Sequence, residues 1–259
     1  MDRVKNKVAI VTGAAGGIGS AIARTLAREG AKLIVTDIDE PHCRALADEL
    51  GADFHHQDVT DERRWAEIVA AVESRHGALN VLVNSAGIEG QVESGNPETT
   101  ELADWKRVHQ VNLDGVFLGC RAALPAMRRA AGGSIVNLAS IVTFFATPDS
   151  TAYGSSKAGV RHLTMSVAHH GAQNGARVRC NSVHPGMIRT RMLMNIFAQG
   201  AKRLGLSPEE VHKRQIARIP MAELGEPEDI AQAVLYLASD DDSTTAPSAS
   251  SNGAFVTRP

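Results

Sequence analysis

One tyrosine and one lysine stand at a spacing that suits acid–base chemistry. In the stretch TAYGSSKAG, Tyr153 precedes Lys157 by one helical turn, which would place both side chains on one helix face. A phenol has an unperturbed pKa of about 10, so accepting a proton near neutral pH requires about 4 kcal/mol. An ammonium about 4 Å away supplies roughly that energy at an effective dielectric constant of about 20. The pair therefore predicts a proton acceptor for an alcohol; the alternative is a packing tyrosine beside a surface lysine.

A glycine-rich loop near the N-terminus predicts a phosphate site. The stretch TGAAGGIG (12–19) joins an apolar run to a helical pattern, and its glycines at 13, 17 and 19 permit tight turning and close approach of a ligand. Backbone N–H groups at the start of the following helix favour a phosphate. The GxxxGxG spacing alone is as typical of an ordinary strand-end turn.

An aspartate after the second apolar run bears on which dinucleotide would bind. Asp37 follows the loop at a distance along the chain where a carboxylate can accept hydrogen bonds from a ribose diol. A 2′-phosphate there would meet a like charge, and neither Ala14 nor Lys32 places a positive charge beside Asp37. The sequence therefore favours NAD over NADP, unless Asp37 is only a solvated turn residue.

Strands and helices alternate along the chain around these residues. Apolar, β-branched runs predict strands at 7–13, 31–37, 53–59, 79–87, 133–140 and 178–186. Helical periodicity and capping residues predict helices at 17–30, 40–51, 61–77, 104–129, 150–171 and 226–240, and a helical flap over about 187–214. Such alternation is typical of parallel βαβ units, so we predict an α/β fold, a single doubly wound domain over residues 1–259 with helices on both faces.

Composition argues against several other classes of protein. The chain has 259 residues and a net charge of −2, which disfavours a nucleic-acid surface, and it lacks an apolar stretch long enough for a membrane span. The N-terminus does not have the shape of a signal peptide, and the three cysteines are scattered, so we expect a cytoplasmic protein. The histidine pairs at 55–56 and 169–170 lack metal-ligand spacing, so we expect no metal site.

Taken together, the motifs resemble those of the classical short-chain dehydrogenase/reductase family. The matching stretches are TGAAGGIG (12–19), DV (58–59), NSAG (84–87), VNLDGVF (111–117), NLAS (137–140), YGSSK (153–157) and HPGMIRT (184–190). Their order and spacing agree with the family over residues 6–240. The resemblance implies a Rossmann-like fold and reversible hydride transfer between NAD and a secondary alcohol or ketone.

The resemblance also implies a role for each matching residue. Tyr153 would be the catalytic acid/base, Lys157 would lower its pKa and hold the nicotinamide ribose, and Ser140 would hydrogen-bond the substrate oxygen. Asn112 would anchor a water that leads from Lys157 towards solvent. The remaining positions would contact the dinucleotide: Gly13, Gly17, Ile18, Gly19, Asp37, Asp58, Val59, Asn84, Ala86, Gly87, Pro185, Gly186, Ile188 and Thr190.

Bulky side chains near these motifs predict an apolar substrate. They would line a pocket or merely pack the flap onto the body, and they are Phe144, Phe145, Met187, Met192, Met194 and Phe197. HPGMIRTRM and VNLDGVFLG are similar to stretches of family members that act on cyclic or steroid-like alcohols. We therefore expect an apolar, cyclic or bulky secondary alcohol. The alternatives are an NADP-dependent ketone reductase and a dinucleotide-binding protein without turnover.

The last residues depart from the family pattern. Family members usually end in a strand reading like VVDGG, whereas residues 243–259 read STTAPSASSNGAFVTRP. Pro247 and its small polar neighbours do not suit a strand, which places the final strand of the sheet in doubt. One hypothesis is a compensated frameshift, because the codons of residues 250–252 read one base out of register can encode Val-Val-Asp; the alternative is ordinary divergence. The resemblance implies a homo-oligomer, a tetramer or a dimer.

Overall fold

A computed structural model of the chain describes residues 2–91, 93–173 and 177–241, and the backbone of 248–250. Within these residues the strands form one parallel sheet in the order β3-β2-β1-β4-β5-β6-β7. Their bounds are β1 Val8–Thr12, β2 Lys32–Asp37, β3 Asp53–His56, β4 Val81–Asn84, β5 Gly133–Leu138, β6 Val178–His184 and β7 Ser248–Ser250. The predicted doubly wound α/β fold is confirmed.

Helices follow the strands along the chain and cover both faces of the sheet. Their bounds are α1 Gly17–Arg28, α2 Glu40–Leu50, α3 Glu62–His76, α4 Leu102–His109, α5 Gly115–Arg129, α6 Thr151–Gly171, α7 Arg191–Leu204, α8 Pro208–Ile216 and α9 Pro227–Ala238. No helix in this described part of the chain is long and apolar enough to cross a membrane.

The strand order changes direction between β1 and β4, which lie side by side. β1 pairs with β2 on one edge and with β4 on the other, so the connections that leave their carboxyl ends run to opposite sides. Ligands of open α/β sheets bind in the crevice at such a switch point. The glycine loop at the end of β1 and the NSAG stretch at the end of β4 meet there.

The core lies in two layers, one on each face of the sheet. Alternate residues of β1 enter different layers: Val11 belongs to the layer that contains Leu26 of α1, whereas Ile10 belongs to the layer that contains Trp65 of α3. Because both faces are buried, the strands read as nearly continuous apolar runs in the sequence. That burial holds the carboxyl ends of the strands in fixed positions.

Two of the predicted helical segments differ in detail from the structure. The helix predicted over 104–129 consists of α4, a π-helical turn at Gln110–Asp114, and α5. The flap predicted over 187–214 contains two helices, α7 and α8, joined by a small apolar cluster that includes Phe197 and Val211. The π-helical turn matters for the site because it carries Asn112.

The doubt about the final strand was wrong for residues 248–250. These residues form β7, and Ser248 lies opposite Ser182 of β6 in a parallel ladder. A strand ladder needs only backbone N–H and C=O groups, which small polar residues also supply. Pro247 and residues 251–259 lie outside the described residues, as does most of the segment on which the frameshift hypothesis depends.

Candidate active site

The glycine loop turns so tightly that side chains would collide with backbone. A Cβ on Gly19 would lie 2.1 Å from the carbonyl oxygen of Gly13. Gly13 has a φ of +64°, and a Cβ there would lie 2.7 Å from backbone atoms of Ala86. The loop therefore makes the tight turn that its glycines predicted, and it also packs against the NSAG stretch.

The start of α1 offers uncapped backbone donors. Gly16 is the N-cap residue, and among the described residues no side chain caps this end and no acidic residue lies in the first turn. The first N–H groups of a helix have no intrahelical partners, and the helix dipole favours an anion beside them. Gly17 and Ile18 open this helix. The start of α1 therefore fits a pyrophosphate.

Asp37 lies at the end of β2 and joins this strand to the glycine loop. Its carboxylate accepts hydrogen bonds from the N–H groups of Ala15 and Asp39, each at 2.9 Å. A carboxylate has about four acceptor sites, so capacity remains for ribose hydroxyls. Lys32 stands at the opposite end of the same strand and does not neutralise the carboxylate.

The predicted adenine contacts follow β3. Asp58 accepts hydrogen bonds from the backbone N–H and the hydroxyl of Thr60, at 2.9 and 2.8 Å. The carbonyl of Val59 accepts a hydrogen bond from the indole of buried Trp65 at 2.9 Å. A Cβ on Gly115 would lie 2.7 Å from a methyl of Val59. These contacts hold the DV segment firmly at the edge of the crevice.

Asn84 is buried at the end of β4, and its side chain points into the core. Its amide donates a hydrogen bond to Asn137 of β5 at 2.8 Å. Asn137 in turn donates to the Thr164 hydroxyl of α6 at 2.9 Å. Through this chain of hydrogen bonds Asn84 aligns β4, β5 and α6, while the residues after it, including Ala86 and Gly87, lie at the crevice.

The residues proposed for chemistry come together at the start of α6. The Lys157 ammonium lies 5.8 Å from the centre of the Tyr153 ring and donates a hydrogen bond to the Leu138 carbonyl at 2.8 Å. The Ser140 hydroxyl hydrogen-bonds the Tyr153 phenol. A Cβ on Gly87 would lie 3.3 Å from the Lys157 ammonium, so this glycine lies in close contact with the ammonium.

Asn112 uses its side chain to hold the loop after β4. Its amide donates to the Ile88 carbonyl at 2.8 Å and to the Ser156 hydroxyl at 3.2 Å, and its carbonyl oxygen accepts from the Ile88 N–H at 2.8 Å. The π-helical turn brings this side chain to the loop. The water that Asn112 would anchor remains a prediction.

Burial has the largest effect on the two groups that would carry the proton. Burial raises the pKa of Tyr153, the Glu89 carboxylate raises it further, and the hydrogen bond from Ser140 lowers it. Burial also lowers the pKa of Lys157 to about 8. Burial therefore acts against ionisation of the phenol in the protein without cofactor, and the role of Lys157 in lowering the Tyr153 pKa stays a prediction.

Sequence reasoning missed Glu89, which follows the NSAG stretch at this site. Burial raises the pKa of the Glu89 carboxyl, while Arg107 acts in the opposite direction. The only signal in the sequence is an acidic residue immediately beyond a cofactor motif, and such a residue is ordinarily solvated.

The HPGMIRT stretch lies between β6 and the flap, beside the glycine loop. Gly186 follows Pro185, whose carbonyl accepts the Ile141 N–H at 3.1 Å. Ile188 is buried and bridges to Gly225, and the Thr190 hydroxyl caps α7 by accepting from the Leu193 N–H. A Cβ on Gly17 would lie 3.2 Å from the Thr190 methyl, so the two stretches face one another closely.

The bulky residues near the motifs were expected either to line a substrate pocket or to pack the flap, and the structure shows some in each position. Phe197 and Met187 pack inside the flap, which is the structural alternative. Phe145 and Met194 keep 49% and 36% of their surface exposed, so they are available to a ligand. Phe144 packs against the ring of His184 at 4.7 Å.

Comparisons with known proteins agree with this geometry. The sequence profile described as enoyl-(acyl carrier protein) reductase matches residues 13–248. The chain is 38% identical to trans-4-hydroxycyclohexanecarboxylate dehydrogenase of Sinomonas cyclohexanicum, over 93% of this chain and 89% of that protein. It is 40% identical to 3-beta-hydroxysteroid dehydrogenase of Comamonas testosteroni, over 93% and 92%. It is 37% identical to the NADP-dependent (R)-specific alcohol dehydrogenase of Lentilactobacillus kefiri, also over 93% and 92%.

A solved structure gives the same result for the fold. The crystal structure of levodione reductase superposes with a TM-score of 0.88 at 31% identity and covers 96% of this chain and 97% of that chain. Fold, site and relatives define an oxidoreductase that acts on CH–OH groups with a nicotinamide cofactor. The chain belongs to the short-chain dehydrogenase/reductase family.

Proposed function

We propose that this protein is an NAD-dependent dehydrogenase of apolar, cyclic or bulky secondary alcohols. The observation that carries the proposal is the convergence of Ser140, Tyr153 and Lys157 beside a dinucleotide cradle at the switch point of the sheet. The hydrogen bond from Ser140 to the phenol and the buried ammonium beside it form an acid–base site rather than a packing contact.

In the proposed oxidation, Tyr153 accepts the proton of the alcohol. The hydride that leaves the carbinol carbon would pass to a nicotinamide held in the crevice, which is the chemistry that the cofactor would supply. Once an alcohol is bound, the single hydroxyl hydrogen of Ser140 turns from the phenol to the substrate oxygen and orients that oxygen towards Tyr153. Lys157 holds the nicotinamide ribose and keeps a positive charge beside the phenol, since its pKa of about 8 leaves it protonated at neutral pH.

The charge of Lys157 accounts for part of the activation of Tyr153. At the observed 5.8 Å from the ring centre, a unit charge contributes about 3 kcal/mol at an effective dielectric constant of about 20, or about two pH units. Burial works against this contribution. We therefore propose that the positive charge of the oxidised cofactor supplies the remainder, so that the phenol becomes a competent base only in the binary complex.

The preference for NAD rests on Asp37. We propose that its carboxylate binds the adenosine ribose hydroxyls, while the start of α1 binds the pyrophosphate and the HPGMIRT stretch holds the carboxamide. A 2′-phosphate would be repelled by Asp37, which has no basic residue on its strand nearer than Lys32 at the far end. The NADP-dependent relative keeps the alternative cofactor open to test.

The substrate class rests on the exposed apolar surface and on the relatives. Phe145 and Met194 expose apolar surface in the segments that follow Ser140 and the HPGMIRT stretch. Two relatives are named for a hydroxycyclohexane and a hydroxysteroid substrate, and both are cyclic secondary alcohols. A cyclic, largely apolar alcohol fits this combination better than a polyol.

The direct test is a panel of alcohols assayed for formation of the reduced cofactor. Cyclohexanol, hydroxysteroids and polyols are each supplied with NAD and with NADP under matched conditions. We expect the cyclic apolar alcohols with NAD to give the highest kcat/KM. Polyols oxidised faster than cyclohexanol would contradict the substrate class, and faster oxidation with NADP would favour the ketone-reductase alternative.

Two further proposals concern the state of the protein in the cell. We propose that it forms a homo-oligomer, a tetramer or a dimer, and that it is cytoplasmic. Support comes from the family to which it belongs. Light scattering of the purified protein tests the first proposal, since a monomer at micromolar concentration would contradict it, and fractionation of the source cells tests the second.

A further inference from the structure

His184 is a fully buried histidine that sequence reasoning did not assign to the site. It ends β6 and has no exposed surface. Its Nδ1 lies 3.0 Å from the Ser140 carbonyl oxygen and 3.0 Å from the Thr143 hydroxyl, and its Nε2 lies 3.0 Å from the Ser182 hydroxyl. One imidazole thus bonds to β6 and to the turn that starts at Ser140.

The partners of the ring define its tautomer. A carbonyl oxygen only accepts hydrogen bonds, so Nδ1 must carry the hydrogen that bonds Ser140, and the Thr143 oxygen accepts a share of it. Nε2 then keeps its lone pair and accepts a hydrogen bond from the Ser182 hydroxyl. His184 is therefore a neutral donor towards the catalytic side and an acceptor towards β6.

The surroundings of the ring keep it neutral. The pKa of His184 is lowered to about 4, mainly by burial and also by the positive charges of Arg161 and Lys157 on α6, while its bond to Ser140 acts in the opposite direction. The uncharged ring of Phe144 packs against the imidazole of His184. His184 is therefore neutral at neutral pH, and its protonation plays no part in the proposed reaction there.

One hydrogen bond of His184 goes to the backbone carbonyl of Ser140. Ser140 is also the residue whose hydroxyl hydrogen-bonds Tyr153. Backbone hydrogen bonds on either side already align this segment with β6: Ala139 donates to Val183 at 2.8 Å and Ile141 donates to Pro185 at 3.1 Å. Between them, the Ser140 carbonyl accepts two hydrogen bonds, one from the Thr143 N–H at 3.2 Å within the turn and one from the His184 side chain at 3.0 Å, which ties the turn to β6. Holding that carbonyl restrains ψ of Ser140 and so the position of its Cβ, from which the hydroxyl reaches Tyr153 in one side-chain rotamer.

We propose that His184 is a positioning residue that holds Ser140 in the orientation in which its hydroxyl donates to Tyr153. The Nδ1–H of His184 does this by binding the Ser140 carbonyl. Because Pro185 and Gly186 follow His184 directly, the same residue links the stretch proposed to hold the nicotinamide to the turn proposed to hold the substrate. The importance of this positioning for catalysis rests on the proposed function. The effect of His184 on the orientation of Ser140 is independent of that function.

The test follows the ionisation of Tyr153 in the protein without cofactor. The chain has two tyrosines, and Tyr236 is an exposed residue of α9, so a Tyr236→Phe background leaves Tyr153 as the only tyrosine. Its tyrosinate absorbance is titrated while circular dichroism monitors the fold. The charged groups near the phenol, Glu89 and Lys157, are unchanged in every variant.

Two substitutions separate the two nitrogens of the imidazole. Asn presents its amide donor where Nδ1 stands, and Gln presents its amide where Nε2 stands, so His184→Asn keeps the bond to Ser140 and His184→Gln loses it. We expect Ser140→Ala and His184→Gln each to raise the pKa of Tyr153 by about one to two pH units, the value of a hydrogen bond to a charged group. His184→Asn should titrate as the parent does.

Combination with Ser140→Ala distinguishes positioning from general packing. In that background His184→Gln should produce no additional rise, because the hydroxyl that it misplaces is absent. An additive rise would overturn the proposal, as would an unchanged Tyr153 titration in folded His184→Gln. If His184→Gln does not fold, the test rests on His184→Asn. A Tyr153 pKa that is as high in folded His184→Asn as in Ser140→Ala would also overturn the proposal.

Kinetics then separate this proposal from the proposed function. With the best alcohol of the panel, His184→Gln should lower kcat at least tenfold and leave the Kd for NAD unchanged, whereas His184→Asn retains most of kcat. Absence of turnover in the parent protein would contradict the proposed function, and the titration would still decide the role of His184. A loss of NAD affinity equal to the loss of kcat would overturn the positioning role.

Discussion

Replacing Lys157 with Met should make the protein inactive and more stable. Burial depresses the pKa of Lys157 from 10.5 to about 8, and each pH unit is worth about 1.36 kcal/mol, so at neutral pH the ammonium costs the folded state about 3 kcal/mol. Met keeps the buried stem without the charge. It loses the charged hydrogen bond to the Leu138 carbonyl, worth about 2 kcal/mol, so the net gain is about 1 kcal/mol.

The gain has a defined pH dependence. Because the folded-state pKa lies below the unfolded value, the unfolded chain binds more protons between about pH 8 and pH 10.5, and the parent gains stability as pH rises through this window. The Met variant lacks this titration. Its advantage should therefore be complete below about pH 8 and decline towards pH 10.5.

Thermal unfolding of the two proteins without added cofactor measures the effect. We expect Tm to rise by about 2 to 4 °C near pH 7, since about 2 to 4 °C correspond to each kcal/mol for a chain of this size. Lys106→Met, at an exposed position of α4, is the matched control and should change Tm little. A Lys157→Met variant whose Tm near pH 7 is lower than that of the parent, or whose effect does not depend on pH, would refute the reasoning.

Two further substitutions test the cofactor cradle. Asp37→Ser should raise the ratio of kcat/KM with NADP to that with NAD by at least about tenfold. Asp39→Ser, which keeps an N-cap residue for α2, is the control and should leave this ratio unchanged. The same ratio in both variants would mean that a residue other than Asp37 sets the cofactor preference. Gly19→Ala should lower the unfolding free energy by about 1–3 kcal/mol, because its Cβ would meet the Gly13 carbonyl at 2.1 Å. Gly200→Ala, with its nearest heavy atom at 4.0 Å, should not, and equal Tm values for both variants would count against the tight turn.

Much of the fold could be predicted from the sequence because its strands are buried on both faces. Near-continuous apolar runs such as VAIVT in β1 mark such strands without alignment to other proteins. The capping residues Gly51 and Gly77 ended α2 and α3 where glycine alone adopts a left-handed conformation cheaply. The spacing of Tyr153 and Lys157 placed both on one face of α6, as the structure shows.

The remainder depends on contacts between distant parts of the chain. The π-helical turn around Asn112 has no periodic signature, so it was read as ordinary helix. The direction of the Tyr153 pKa depends on burial and on Glu89, which comes from another strand end. His184 likewise contacts Ser140 only because β5 and β6 are neighbours in the sheet. Small polar residues in β7 pair through backbone groups that a side-chain pattern does not report.

The most direct test of the whole account is the rate of the alcohol oxidation after removal of one hydroxyl. The chain offers a matched pair, since Tyr153→Phe removes the proposed base and Tyr236→Phe removes the exposed phenol of α9. With NAD and the best alcohol of the panel, Tyr153→Phe should lower kcat by about a hundredfold or more while NAD still binds, and Tyr236→Phe should match the parent. A Tyr153→Phe enzyme that oxidises the alcohol at the parental rate would contradict the mechanism.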